Sequence, residues 1–314
     1  MTASAVVFAY SDVGVRCLKA LISAGIDIRL VVTHEDDPDE SRWFGSVANV
    51  AADYRIACIA PASTDDPVLN ERLVRLAPDF IFSFYYRFLL TPQQLACARK
   101  RALNLHGSLL PQFRGRAPVN WAILSGATES GATLHEMIER ADSGPIVDQL
   151  AVPILSDDDA LAVFRKVAVA AEIVLSRSLP GLIDGSARFV AQLPGIGKTY
   201  GRRRPEDGRI DWSRSAQEIH NLIRAVAPPY PGAYTIIGGK RWFISRARIL
   251  TQNAPSASAP LHLIDVDGRC VAVCGDGRLL QLLEAHTTDG MIDLRGLAIQ
   301  LTAGPLPLQR SCST

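Results

Sequence analysis

Charge imbalance is the first thing this sequence lacks. Its 33 basic and 32 acidic residues leave a formal net charge of +1 across 314 residues. There is no bulk field to draw in a polyanion such as tRNA, so nucleic acid is not an expected partner, although local arginines can still hold one or two phosphates. Long apolar runs are missing as well, and none approaches the roughly 18–20 residues of a membrane helix. The opening Ala5-Val-Val-Phe-Ala-Tyr10 is too short for a signal-peptide core, has no basic flank and runs into Asp12. A cytoplasmic protein without a membrane span is expected. Cysteines are few and scattered, at 17, 58, 97, 270, 274 and 312, with no CxxC pair, which fits a reducing compartment. Cys270 and Cys274 flank a strand-like Val-Ala-Val run with no further ligand nearby, so no metal is expected. Internal repeats are absent, and the only biased tract is the Ala/Ser/Pro-rich Ala254–Pro260.

What is present is ordinary globular material: 48% hydrophobic and 21% charged residues, enough for one large domain or two medium ones. Strand-like and helix-like segments alternate from the start. Ala5–Tyr10, Ile28–Val32, Ala57–Ala60, Phe80–Phe84 and Ala102–His106 read as strands. Val13–Ala24, Phe44–Ala52, Pro67–Leu76 and Thr91–Ala98 read as helices between them, and Thr33–Glu40 as a polar loop. That alternation predicts a parallel sheet covered on both faces. A dinucleotide site does not follow, because Tyr10-Ser-Asp-Val-Gly14 lacks the glycine spacing and the second strand ends in Thr33-His34 rather than an acid.

Further on, Asn120–Leu124 reads as a short helix, Thr133–Ile138 and Ile146–Ile154 as strands, and Asp157–Asp159 open a long helix to about Leu182. Leu193–Arg204 interrupts the pattern and is the expected linker. Beyond it Ile210-Asp-Trp212 is extended, and Ala216–Ala225 is one helix. Five strand candidates follow: Ala233–Ile237, Arg241–Ile249, Leu261–Asp265, Cys270–Cys274 and Leu279–Glu284. They suggest a small barrel, followed by an irregular tail after Ala303. The expected division is a catalytic domain over 1–192, a linker over 193–204, a barrel over 205–305 and a tail over 306–314.

Chemistry is most legible in Asn104-Leu-His-Gly-Ser-Leu-Leu-Pro-Gln-Phe-Arg-Gly-Arg-Ala-Pro118. Two residues apart on a strand, Asn104 and His106 share one face near its carboxyl end, where open α/β sheets bind ligands. An amide donor beside an imidazole suits attack on a carbonyl: His106 takes a proton while Asn104 donates to the developing oxyanion. Ser108 has no Gly-x-Ser-x-Gly elbow around it and reads as a loop hydrogen-bonder.

Asn104-x-His106, Ser108-Leu-Leu-Pro-x-Phe-Arg-Gly115 and Asp142-x-Gly144 together resemble the signature of the 10-formyltetrahydrofolate-dependent formyltransferases. The resemblance covers about residues 5–300. Phe8-Ala-Tyr10, Thr33-His34, Phe82-Ser-Phe-Tyr-Tyr-Arg87, Arg114-Gly-Arg-Ala-Pro118, Arg140-Ala-Asp142, Gly201-Arg-Arg203 and Cys274-Gly-Asp-Gly277 are similar to one branch of the family, the formyltransferase domain of UDP-4-amino-4-deoxy-L-arabinose formyltransferases. The resemblance implies an α/β fold, with a Rossmann-like N-terminal domain and a smaller C-terminal OB-like barrel. It implies 10-formyltetrahydrofolate as formyl donor and a UDP-aminosugar as small-molecule partner, in lipid A modification and polymyxin resistance. It also implies catalytic roles for Asn104, His106 and Asp142, with Asp142 orienting His106 and raising its pKa. Donor contacts would fall at Phe88, Leu89, Leu90, Arg116, Ile138, Glu139, Arg140, Ala141 and Asp142.

Arg116, Arg202 and Arg203 are candidates for the UDP phosphates or the folate glutamate, since guanidinium pairs bidentately with both. Tyr230, Tyr234 and Trp212 are candidates for stacking on uracil, with core packing the favoured role. His34, His135, His220, His262 and His286 receive no catalytic role. Two departures from the branch stand out. Phe113 stands where tyrosine is common, and the nucleotide-sugar dehydrogenase domain of the bifunctional relatives has no counterpart here, so oxidative decarboxylation is not expected. Methionyl-tRNA and other nucleotide-linked aminosugars remain alternative acceptors, and the oligomeric state stays open between monomer and homodimer.

Overall fold

Apolar side chains on both faces of each early strand decide the first half of the architecture. The computed structural model of the chain describes residues 2–36, 42–193, 195–254 and 261–308. The distal part of the Thr33–Glu40 loop, most of Ala254–Pro260 and the end of the tail with Cys312 lie outside the described residues. In chain order the first elements are β1 (Ser4–Ala9), α1 (Ser11–Ser23), β2 (Asp27–Val32), α2 (Val47–Asp53), β3 (Cys58–Ile59), α3 (Pro67–Leu76), β4 (Phe80–Phe84), α4 (Pro92–Leu95) and β5 (Arg101–His106). Then come β6 (Arg114–Gly115), α5 (Pro118–Leu124), β7 (Glu129–Glu136), β8 (Ile146–Pro153), α6 (Ala160–Asp184) and β9 (Thr199–Tyr200). Local signals set several ends. Asp66 accepts from the backbone N–H groups of Val68 and Leu69 at the start of α3, a cap worth about 1 kcal/mol. Thr91 and Gln94 form a reciprocal capping box that starts α4, but the helix stops after one turn, short of the expected Ala98.

The chain divides into two compact units. The first gathers Met1–Pro118, Glu129–Pro153 and Val163–Gly201. Its sheet has the order β3-β2-β1-β4-β5-β7-β8. The first five strands are parallel, and β7 and β8 add antiparallel neighbours at the β5 edge. Alternation sorts the side chains. Val7, Phe80, Phe82, Leu103 and Leu105 join α1, α2 and α6 on one face, whereas Val6, Phe8, Ile81 and Ala102 join Leu69 and Leu73 of α3 on the other. The strand order reverses between β1 and β4, so the loops leaving those two strands flank a switch-point crevice. A short parallel ladder of β6 with β9 ties Thr199 and Tyr200, from the segment expected to be a linker, to Arg114 and Gly115.

The second unit gathers Val119–Thr128, Ile154–Ala162 and Arg202–Thr314. After a 3-10 turn (Pro205–Gly208) come α7 (Ala216–Ala225), β10 (Ala233–Ile237), β11 (Lys240–Asn253), β12 (His262–Val266), β13 (Arg269–Val273), β14 (Arg278–Thr287), β15 (Gly290–Met291), α8 (Leu294–Leu301) and β16 (Leu306–Pro307). The strands form an antiparallel sheet in the order β10-β11-β14-β13-β12-β16. Register shifts along β11 and β14 curl it. The helix α8 was not anticipated, although Asp293 caps it through the N–H groups of Arg295 and Gly296. Trp212 is fully buried with its indole N–H donated to Thr235 Oγ1 at 2.9 Å, which makes it core. Among the described residues no helix is long and apolar enough to cross a membrane.

Candidate active site

Antiparallel pairing of β5 with β7 sets Asn104 opposite His135 and His106 opposite Thr133. All four side chains therefore occupy one face, while Leu103 and Leu105 point into the core on the other. The turn between β7 and β8 then brings Asp142 to the same place. Asp142 Oδ1 lies 3.6 Å from His106 Nδ1 and 3.6 Å from His135 Nε2. Its Oδ2 accepts the Gly115 N–H at 2.8 Å.

Hydrogen bonds fix how the rings present themselves. His135 donates from Nδ1 to the Glu136 carbonyl at 2.9 Å, leaving Nε2 to accept from the Asn104 amide at 3.1 Å. That orders the Asn104 NH2 group, one of whose two protons stays available for another acceptor. His106 donates from Nε2 to the Phe113 carbonyl at 2.9 Å. Its Nδ1 lone pair is left facing Asp142, and a proton arriving there meets the carboxylate.

Asp142 adopts φ 54°, a left-handed conformation uncommon for a residue with a Cβ. Side chains absent from the sequence-based candidate set hold it there. Arg114 Nε donates to the Asp142 carbonyl at 3.1 Å, and Gln192 Nε2 donates to the same oxygen at 3.0 Å and to the Gly144 carbonyl at 2.8 Å. Arg114 Nη2 in turn grips Gln192 Oε1 at 2.7 Å. Gly144 is required by close approach, since a Cβ there would sit 1.9 Å from the Glu136 carbonyl oxygen.

Burial raises the pKa of Asp142, but the His106 and His135 rings beside it and the Gly115 N–H outweigh it and hold the carboxyl below its ordinary range. For His106 the balance runs the other way. Burial lowers its pKa, and the upward pull of Asp142 and the Phe113 carbonyl does not recover it. The expected lift from Asp142 is present; the net rise is not, because the ring is 7% exposed and desolvation is the larger effect.

Comparison with known families fits this geometry. The family described as Formyl transferase matches residues 4–179, and Formyl transferase, C-terminal domain, matches residues 203–292. The chain belongs to the formyl transferase family. Similar solved structures share the fold at low identity. An N-formyltransferase from Helicobacter canadensis, in complex with folinic acid and dTDP-3-aminofucose, superposes with TM-score 0.73 at 19% identity, over 90% of this chain and 99% of that one. WlaRD, a sugar 3N-formyltransferase solved with dTDP and 5-N-formyl-THF, gives 0.70 at 18%, over 93% and 99%. HypX from Aquifex aeolicus with tetrahydrofolic acid gives 0.61 at 17%, over 92% of this chain but 45% of its own length.

In this formyltransferase the remaining candidate residues are placed unevenly. Leu89 is 71% exposed and Ile138 43%, large apolar side chains facing solvent in the two segments expected to meet the donor. Phe88 and Leu90 are half-buried, and Glu139, Arg140 and Ala141 are exposed. Arg116 is exposed and donates from Nη2 to the Arg87 carbonyl at 3.2 Å. Arg202 and Arg203 belong to the second unit. Arg202 is exposed, whereas Arg203 lies 5.1 Å from the Trp121 ring and donates to the Asp207 carbonyl at 3.0 Å. Ser108 is fully buried and donates to the Gln112 carbonyl at 2.6 Å, the loop role expected of it. His135 was assigned nothing from the sequence, and its only signal was a place in a strand whose partner could not be read.

Gly144→Ala tests the turn. The added methyl forces the 142–144 backbone off the Glu136 carbonyl and moves Asp142 with it, so formyl transfer should drop by about 10²-fold with a lowered melting temperature. Steady-state rates and thermal unfolding check this; two wild-type values would show that the close approach is slack.

Proposed function

We propose that this formyltransferase moves the formyl group of 10-formyltetrahydrofolate to the 4-amine of UDP-4-amino-4-deoxy-L-arabinose, a cytoplasmic step in lipid A modification and polymyxin resistance. The observation that carries the chemistry is the convergence of the Asn104 amide, the His106 ring and the Asp142 carboxylate on one face of β5. The donor fits what surrounds them, since exposed Leu89 and Ile138 offer apolar surface to a flat pterin. The UDP-aminosugar acceptor is supported by the branch-like motifs and by a net charge too small to favour tRNA. A reducing location is supported by free thiols at Cys17, Cys58, Cys97, Cys270 and Cys274.

In the proposed reaction the neutral amine bonds to the formyl carbon and the bond from that carbon to N10 breaks. Asn104 donates its spare amide proton to the formyl oxygen as negative charge develops there. His106 accepts the proton released by the amine and returns it to N10. Asp142 faces the imidazolium formed in between, and His135 keeps the Asn104 amide turned the right way. Arg116, Arg202 and Arg203 are assigned to the anionic ends of the two substrates.

Loss of the base should cost about 10²–10⁴ in rate for His106→Ala, and loss of the oxyanion donor about 10²–10³ for Asn104→Ala, with folding retained. Once the separately measured ionisation of the acceptor amine is divided out, the pH profile of kcat/KM should fall with acid around a midpoint below 6.5, because burial keeps His106 from protonating at its ordinary value. Near wild-type turnover in His106→Ala, or a midpoint above 6.5, would remove the base assignment.

An acceptor panel tests the substrate. Purified protein with 10-formyltetrahydrofolate is offered UDP-4-amino-4-deoxy-L-arabinose, a dTDP-3-aminosugar or methionyl-tRNA. Formylation of the UDP-sugar amine is expected. Transfer to the dTDP-sugar or to tRNA alone would replace the acceptor, and transfer to none would overturn the reading.

A further inference from the structure

Just past the carboxyl end of β2, His34 is enclosed by three consecutive residues of the loop that leaves β4. Tyr86 stacks on its ring at 4.2 Å between centroids with the planes 18° apart. Arg87 donates its backbone N–H to Nε2 at 2.9 Å. Phe88 meets the ring edge-on at 4.8 Å. From the end of β1, Tyr10 meets the ring at 5.3 Å, and the Arg87 guanidinium lies 4.6 Å from the Tyr10 ring. One imidazole thus ties the exits of β1, β2 and β4 together at the switch point, next to the strand that carries Asn104 and His106.

Accepting from Arg87 requires a lone pair on Nε2, hence the neutral ring with its proton on Nδ1. Burial first, and the Arg87 charge second, push the His34 pKa down to about 4, so the acceptor persists across the working range of pH. The carbonyl of the same Arg87 is held by Arg116 Nη2 at 3.2 Å, so the backbone of this residue is gripped on both sides of its Cα. A purely packed core position would need neither the lone pair nor the flat ring together.

We propose that His34 is a positioning residue for the formyl donor: it fixes residues 86–88 so that the surface from Phe88 to Leu90 is ready to receive a folate. This rests on the donor reading above. His34 touches no reacting atom, so its removal should weaken donor binding and leave the chemical step alone.

Folinic acid, which carries its formyl group on N5 rather than N10, is the probe. His34→Phe keeps a flat ring but loses the acceptor, and His34→Gln keeps an acceptor but loses the ring. The expected result is that His34→Phe binds folinic acid at least about tenfold more weakly than wild type, the net loss of one hydrogen bond in a site that must stay ordered. His34→Gln should fall between them, and kcat at saturating donor should stay within about threefold in both. Matching melting temperatures should accompany the divergent affinities. Binding by both variants within twofold of wild type would overturn the proposal while leaving the donor reading intact. So would a fall in kcat with donor affinity unchanged. Should His34→Phe fail to fold, His34→Ala takes its place, and wild-type affinity in both His34→Ala and His34→Gln overturns the proposal. Failure of the wild-type protein to bind folinic acid would be distinguishable from these, because it would remove the donor reading and the role of His34 with it.

Discussion

A carboxylate set between two imidazoles is the interaction on which the rest of this site depends. Asp142 Oδ1 is equidistant, at 3.6 Å, from His106 and His135. At that separation, with an effective dielectric constant near 20, its attraction for an imidazolium is of order 4 kcal/mol. Desolvation of a ring that is 7% exposed opposes it and is larger, which is why His106 titrates low rather than high. The result is an imidazole kept neutral at rest with a carboxylate beside its Nδ1, as the proposed base role requires. Arg114 and Gln192 act on that arrangement from behind by holding the Asp142 carbonyl, and Gly144 by letting the turn close.

The sheet explains how residues far apart in sequence reach this point. Parallel strands carry β4 and β5 side by side, so the loop holding Phe88 to Leu90 leaves beside the strand holding Asn104 and His106. The direction then reverses, and the antiparallel β7 supplies His135 opposite Asn104. Tyr86, Leu90 and Met137 cover the core on that same face, so one apolar layer supports both loops that border the proposed catalytic groups. The site therefore takes Asn104, His106 and His135 from strands and Asp142 from a turn whose carbonyl Arg114 and Gln192 hold in place.

Much of this was legible in the sequence where local physics decides. The strands Phe80–Phe84 and Ala233–Ile237 and the helices Pro67–Leu76 and Ala216–Ala225 match their expected limits, because turn residues and caps bound each of them. Asn104 and His106 were paired by strand periodicity, and Asp142 came from the family resemblance. What stayed hidden depends on contacts between distant segments. Nothing in Thr133–Ile138 says that it runs antiparallel to β5, so His135 had no partner to be read with. Arg114 was visible only as part of a loop motif, whereas its buried guanidinium holds the Asp142 carbonyl and reaches Gln192, 78 residues along the chain. Asn120–Leu124 and the start of the long helix join the second unit although the first surrounds them in sequence. The helix at Leu294–Leu301 is a different kind of miss, because Asp293 and the spacing of Leu294, Leu297 and Leu301 were there to be read.

The coupling between Asp142 and His106 is tested most directly by following the His106 ring resonances through a pH titration in the wild-type protein and in Asp142→Asn. With the carboxylate present, the midpoint should lie below 6.5; without it, the midpoint should fall further, because the one upward charge is gone while burial remains. A midpoint that does not move, or that rises, would contradict the account.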